Sequence, residues 1–318
     1  MQSLYVDAAP GAERRRGFGF RLLKRLGLHR AEARAGYLFT APGLVLILIF
    51  VLVPMVSGLT LSFFKWDIFS PPNFTGIDNY LRLFKDPLYL AAIRNTAYFA
   101  CVSAPISAFI ALLLAMFINE RWFKGKIIFS TIYFIPVVMS MVSVALIWRW
   151  IFDSEFGLLN AVLKLVGLAP QLWLVNPRWV IPSMMLVNIW KTLGYNMVIF
   201  LAGLQGISKE YYEAAEIDGA SRFDQFRHIS LPLLRPATMF ATVISIIQSF
   251  QILDLVYVFV GERGPSESSI VAVFNIYLTA FRSYEMGYAS AQAAVLFLII
   301  VVFSAVLIKL FSSPAGEA

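Results

Sequence analysis

The chain has 318 residues, 59% of them hydrophobic and only 14% charged, with a net charge of +7. Its mean hydropathy of +0.74 lies well above that of an ordinary soluble domain. A single cysteine, Cys101, and two histidines, His29 and His228, exclude an internal disulfide framework and argue against zinc sites built on several histidines.

In chain order, residues 1–36 form a basic segment in which Phe18, Phe20, Leu22, Leu23 and Leu26 interleave with Arg21, Lys24 and Arg25. Two readings stand: a basic helix lying on the anionic inner leaflet, or a disordered positive tail that only sets topology. Charged residues break the segment up and no short apolar core precedes a small-residue cleavage site, so it is not read as a secretory signal.

Apolar runs then recur at 37–64, 95–118, 127–150, 180–204, 237–260 and 288–310. A helix needs about 20 apolar residues to cross a hydrocarbon core of about 30 Å. The runs are continuously apolar instead of alternating, and backbone polar groups in lipid must be paired within the segment, so helices are predicted over a barrel. The predicted fold class is all-α, a polytopic membrane protein with six transmembrane helices. Its domains are the N-terminal segment 1–36, the six-helix region 37–310 and a short tail 311–318.

The positive charges assign orientation. Arg14, Arg15, Arg16, Arg21, Lys24, Arg25, Arg30, Arg34, Arg121, Lys124, Lys126, Lys209, Arg222, Arg227, Arg235 and Lys309 fall on one side. The opposite side has Lys65, Arg82, Lys85, Arg94, Arg149, Lys164, Arg178, Arg263 and Arg282. The richer side is predicted to be cytoplasmic, with both termini. Because these charges are mostly juxtamembrane, lipid is the partner they imply and nucleic acid is not.

The most informative loop runs over 207–236. Ser208 is positioned to cap a first short helix and Gly219 to end it at positive φ. Ser221 followed by Asp224 starts a second helix in capping-box fashion, with Phe223, Phe226 and Arg227 at helical spacing and Pro232 ending it.

Glu213, Ala214 and Ala215, then three residues, Gly219, nine residues, and Ile229, Ser230, Leu231 and Pro232 make a pattern that resembles the EAA loop of ABC importer permeases at every position. In that family the loop is a coupling helix that docks in a groove of the nucleotide-binding subunit. The resemblance assigns coupling to Glu213, Ala214, Ala215, Asp218, Gly219, Ile229, Leu231 and Pro232. Small Ala214 and Ala215 permit close helix approach, and Glu213 offers a carboxylate to a basic partner.

Further motifs resemble the sugar-importing branch, in particular the larger maltose permease and the glycerol-3-phosphate permease subunit. They are the stretch from Asn73 to Tyr80, Asn95 with Thr96, and Asn188, Ile189, Trp190, Leu193, Gly194 and Tyr195 running into Phe200, Leu201, Ala202, Gly203 and Leu204. The resemblance covers nearly all the chain after Gly36. It departs in lacking the large periplasmic insertion of the maltose subunit, and in having Arg263, Gly264 and Pro265 where Gly-Gly-Pro is usual.

Polar side chains inside spans usually face a cavity or a partner helix. Asn188, Lys191, Thr192, Tyr195 and Asn196 share one helical face of the fourth span, and Ser245, Gln248 and Ser249 one face of the fifth, with Gln251 at its margin and Asp254 pointing elsewhere. Asn188, Tyr195, Asn196, Ser245, Gln248 and Ser249 are read as lining a solute pathway suited to a neutral sugar. The resemblance places the solute site midway along the same two spans. Interhelical packing by polar glue is the competing reading. Lys191 is open to snorkelling or to contacting a phosphate, which leaves a glycerol-phosphate-type solute as an alternative.

No Gly-x-x-x-x-Gly-Lys-Ser/Thr phosphate loop is present, so the chain is not predicted to be an enzyme, and no cofactor is expected on it. The resemblance implies that ATP and magnesium are used by two nucleotide-binding ATPase subunits. It further implies a second homologous permease, an extracytoplasmic solute-binding protein and a place in a prokaryotic cytoplasmic (inner) membrane. An ion-coupled secondary transporter would need membrane-buried acids, for which Asp254 is the one candidate, and would leave the 207–236 loop unexplained.

Overall fold

The computed structural model describes residues 30–120, 122–261 and 268–312. The basic segment up to His29, Arg121, the Arg263-Gly264-Pro265 stretch and the tail after Ser312 lie outside the described residues. Two units divide the chain, Met1–Gly58 and Leu59–Ala318.

The first unit is built on α1 (Arg30–Ile47), a π-helical turn at Leu48–Leu52 and the start of α2 (Val53–Leu61). The apolar stretch Arg34–Leu61 has 28 residues, about 42 Å of helix, longer than the hydrocarbon core. The wider turn has a local cause. Pro54 supplies no N–H and its ring would crowd the preceding turn, and the Val53 N–H reaches back five residues to the Leu48 carbonyl.

The second unit opens with a two-residue hairpin, β1 (Phe64–Lys65) against β2 (Asn73–Phe74), followed by α3 (Asp78–Leu83). The Asn79 amide donates to the Ser62 and Phe64 carbonyls, both at 2.9 Å, and the Tyr80 hydroxyl lies 2.7 Å from Ser62 Oγ. These motif residues pin α3 to the hairpin. Asn95 and Thr96 have the same kind of role: Asn95 Nδ2 donates to the Ile270 carbonyl at 2.9 Å and Thr96 Oγ1 accepts from the Ala272 amide at 2.8 Å.

The column of the bundle is α4 (Pro87–Asn119), 33 residues long and started by the Asp86 carboxylate, which caps the Leu88 and Tyr89 amides. Its buried stripe of Ala104, Ala108, Ala111 and Ala115 follows helical spacing. Residues this small let α8 (Val180–Gln205) approach closely along its Met184, Val187, Met197 and Phe200 face. α8 also meets the backbone of α5 (Lys126–Val138): a β-carbon at Gly194 would collide with the Tyr133 carbonyl. The bundle is closed by α12 (Arg235–Phe250), α14 (Ala272–Phe281) and the long α15 (Met286–Ser312).

Two runs read as continuous spans are broken. The 127–150 run divides into α5 and α6 (Met141–Ile151), bent by 99°. Met139 and Ser140 between them are extended, just after Pro136. The 237–260 run ends its helix at Phe250 and restarts as α13 (Asp254–Val260). Among the described residues, four helices are long and apolar enough to cross a membrane, or up to six if each bent pair is one span. The ten-residue α14 is apolar but, at about 15 Å, too short to cross alone.

Between α6 and α8 lies a small cap carrying α7 (Leu158–Leu165). Buried Asn160 fastens it, donating to the carbonyls of Asp153, Ser154 and Gln171 while its own oxygen accepts from the Gln171 amide and Trp173 Nε1 at 2.9 Å each. This element escaped the sequence reading because one asparagine in a loop carries no periodic signal.

Candidate functional site: a helical elbow and a polar cleft

The elbow begins with α9 (Lys209–Ile217), whose Glu210 amide donates to Ser208 Oγ at 3.4 Å. Its end is a Schellman closure: the Gly219 amide returns to the Glu216 carbonyl at 3.2 Å and the Ala220 amide to that of Ala215 at 2.9 Å. Gly219 has φ +79°, a region that costs an L-residue about 1–2 kcal/mol. A complete capping box between Ser221 and Asp224 opens α10 (Arg222–Gln225). The Ser221 hydroxyl and amide hold the Asp224 carboxyl below the usual aspartate range.

Pro232 does not end the second helix. A π-helical turn at Phe226–Ser230 leads into α11 (Leu231–Leu233), and the Leu231 N–H bonds back to the Phe226 carbonyl. The wider turn takes up the missing donor and the ring, as it does before Pro54. The chain then bends by 64° into α12, with buried Leu234 at the corner. A hydrogen bond of 2.9 Å between the Tyr212 and Ser230 hydroxyls ties the two arms together. The sequence reading passed over it because the two residues share no motif.

Of the residues assigned to coupling, Glu213, Ala214, Asp218, Gly219, Leu231 and Pro232 are exposed, and Ala215 and Ile229 are half-buried. Ile217 is 88% and Phe223 66% exposed, so the elbow presents large apolar side chains beside small ones. Such a mixture suits docking into a groove. Arg222 reaches Glu120 at 3.3 Å, an exposed pair of small energetic weight.

The second feature is a cleft of about 350 Å³ lined by Met141, Asn188, Lys191, Thr192, Gln248, Gln251, Ile252, Leu253 and Asp254. Only two of the six residues assigned to the pathway, Asn188 and Gln248, line it. Tyr195 is half-buried and stands apart from the lining.

Asn196, Ser245 and Ser249 instead belong to a buried polar ladder joining α4, α8 and α12. Asn196 Nδ2 donates to Ser107 Oγ at 3.1 Å and Ser245 Oγ at 3.0 Å, and Ser103 and Ser249 lie 3.4 Å apart. For these three residues the packing reading describes the structure. Asn196→Ala is expected to cost about 0.6–1.7 kcal/mol of bundle stability, read as earlier unfolding in a denaturing-detergent titration. A variant as stable as the native chain would show that the ladder contributes nothing.

Asp254 and Gln251 correct the sequence reading in the other direction, since both line the cleft. On an uninterrupted helix Asp254 would stand about 120° away from Gln248 around the axis. The break after Phe250 resets that angle.

Lys191 is fully engaged. Its ammonium donates to the carbonyls of Pro136 at 3.0 Å, Val137 at 3.4 Å and Met139 at 2.8 Å. These are orphan carbonyls at the C-terminal end of α5, where the 99° bend leaves them without helical partners.

Membrane-length helices, an exposed capped elbow, and a polar cleft lined in part by the helix into which the elbow continues define an integral-membrane transport component. The chain belongs to the family described as binding-protein-dependent transport system inner membrane component, which it matches over residues 98–314. It is 36% identical to the arabinooligosaccharides transport system permease protein AraP of Bacillus subtilis, over 91% of this chain and 92% of that one. Identity to the lactose transport system permease protein LacF of Rhizobium radiobacter is 34%, over 88% and 95%. Among solved structures, it is similar to a chain of a bacterial ABC transporter involved in the import of the acidic polysaccharide alginate. The TM-score is 0.75 and the identity 25%, over 93% of this chain and 100% of that one. A second structure of the alginate transporter, in complex with an alginate pentasaccharide-bound periplasmic protein, matches at a TM-score of 0.75 and 27% identity.

Proposed function

We propose that the chain is one permease subunit of an ATP-driven importer and forms half of the translocation pathway for a sugar, an oligosaccharide or similar solute, delivered by an extracytoplasmic solute-binding protein. The observation that carries the reading is continuity. The exposed elbow turns a single corner at Leu234 into α12, and α12 carries Gln248 into the cleft. A rigid element that docks at one end and lines a polar cavity at the other can convert displacement of the first into reshaping of the second.

In this reading two nucleotide-binding subunits hydrolyse ATP with magnesium, a second homologous permease completes the pathway, and the elbow and both termini face the cytoplasm. The names of the relatives support the sugar class, and so do the Asn188, Gln248 and Gln251 amides, which pair well with hydroxyls. A glycerol-phosphate-type solute drew its main support, beside the resemblance to the glycerol-3-phosphate permease subunit, from a free Lys191. With all three ammonium donors on carbonyls, that support is lost.

The direct test is to purify the assembled complex with its binding protein and find which ligand raises its ATPase activity; no co-purifying ATPase would overturn the reading. Asn188→Ala with Gln248→Ala is expected to lower uptake about fivefold or more, two lost hydrogen bonds at about 0.5–1.5 kcal/mol each. Unchanged transport kinetics would remove the cleft from the pathway.

A further inference from the structure

The cleft holds two ionisable side chains of opposite sign, Lys191 and Asp254, and their surroundings are unequal. Lys191 spends its three N–H donors on the Pro136, Val137 and Met139 carbonyls. Those carbonyls are the negative pole of α5, and a helix C-terminus carries the equivalent of about half an elementary negative charge. The lysine's charge is therefore partly offset where it sits, and its ammonium has no donor left for a ligand.

Asp254 differs in each respect. It is exposed, it lines the same cavity, and no hydrogen bond or ion pair engages its carboxylate among the described residues. Around it, Asn188, Gln248 and Gln251 contribute amides, and Met141, Ile252 and Leu253 apolar surface. Of the two charges lining the cleft, the lysine's is turned onto the end of α5, while the carboxylate is the one that no hydrogen bond or ion pair among the described residues holds away from the open space.

We infer that Asp254 is a charge-selecting residue of this cleft: it repels anionic solutes, so that the solute class is neutral, with hydroxyls for the amides, and excludes uronates and sugar phosphates. The inference rests on the reading of the cleft as the pathway. It also separates this chain from a structural relative that serves an acidic polysaccharide. Shared fold does not transfer a solute's charge, because charge is read by single side chains.

The test measures the cleft's potential directly. Gln248→Cys is placed in a Cys101→Ser background of the full-length chain, in membrane vesicles containing the assembled transporter. Its reaction rates are taken with neutral methyl, anionic sulfonatoethyl and cationic trimethylammonioethyl methanethiosulfonates. The cationic-to-anionic rate ratio is expected to exceed that of a free thiol by about tenfold, as a unit charge in a cavity of intermediate dielectric produces. Asp254→Asn should return the ratio to the free-thiol value, and Asp254→Glu should retain it. An equal neutral-reagent rate in these variants shows that the cleft keeps its shape. A ratio at or below the free-thiol value, or one unmoved by Asp254→Asn, overturns the charge selection alone. A cysteine that reacts with none of the three reagents overturns the pathway reading and the selection with it.

Discussion

Gly219→Asp is expected to leave the chain inserted and assembled while lowering ATP-dependent uptake at least about tenfold, the equivalent of about 1.4 kcal/mol at the docking step. The expectation rests on two properties of the position. Gly219 has φ +79°, which aspartate tolerates better than most residues, so the backbone cost stays near the lower end of about 1–2 kcal/mol. A β-carbon built there meets nothing within 4 Å, so the new side chain projects into open space and disturbs no internal contact. The outward face is what it disturbs. The tip already carries Glu213, Glu216 and Asp218, and a fourth carboxylate adds bulk and a desolvation penalty to any surface that must close against it. Gly219→Ala is the control, since it brings a similar backbone cost with little bulk and no charge. Uptake by the aspartate variant at the native rate would remove the elbow from the mechanism.

The second large effect is expected at Lys191. Lys191→Met keeps the length and apolar stem of the side chain but strands the Pro136, Val137 and Met139 carbonyls at the bend. Hydrogen bonds to a charged group contribute about 1.5–3 kcal/mol each. Relief of the half-buried cation's desolvation offsets part of that loss, and a net destabilisation of about 3 kcal/mol remains. Uptake should fall with it, because Met141 lies two residues beyond the last of these carbonyls and lines the cleft. Lys191→Arg, which restores donors, should recover much of the stability. Thermal unfolding of the purified complex reads the first effect and vesicle uptake the second. A methionine variant with native thermal stability would show that the carbonyls are satisfied without the lysine.

Much of the elbow was legible from residue order because its structure is local. A cap, a positive-φ glycine and a capping box are each decided within four or five residues, and Ser208, Gly219, Ser221 and Asp224 occupy the conformations their chemistry dictates. Pro232 was misread for want of one local detail: a π-helical turn upstream absorbs a proline that an α-helix would not.

The cleft was less legible. Periodicity puts Asn188, Asn196, Ser245 and Gln248 on inward faces but cannot say which inward face meets a helix and which meets a cavity. Depth along the axis decides that: Ser107 and Ser103 of α4 claim Asn196 and Ser249 as partners, while Asn188 gives Ser103 one bond at 3.4 Å and still lines the cleft. Asp254 was placed on the wrong side for a different reason, the assumption of one unbroken helix through Gln251.

By itself, then, residue order determined that this is a polytopic helical membrane protein and where its capped elbow lies, since apolar length and short-range backbone chemistry need no knowledge of neighbours. Only the tertiary structure decided where two of the apolar runs break, which polar groups are consumed by packing and which remain facing an open cleft. Those outcomes turn on distant carbonyls and hydroxyls competing for the same side chains. Lys191, with its three donors spent more than 50 residues away in the chain, is the clearest instance.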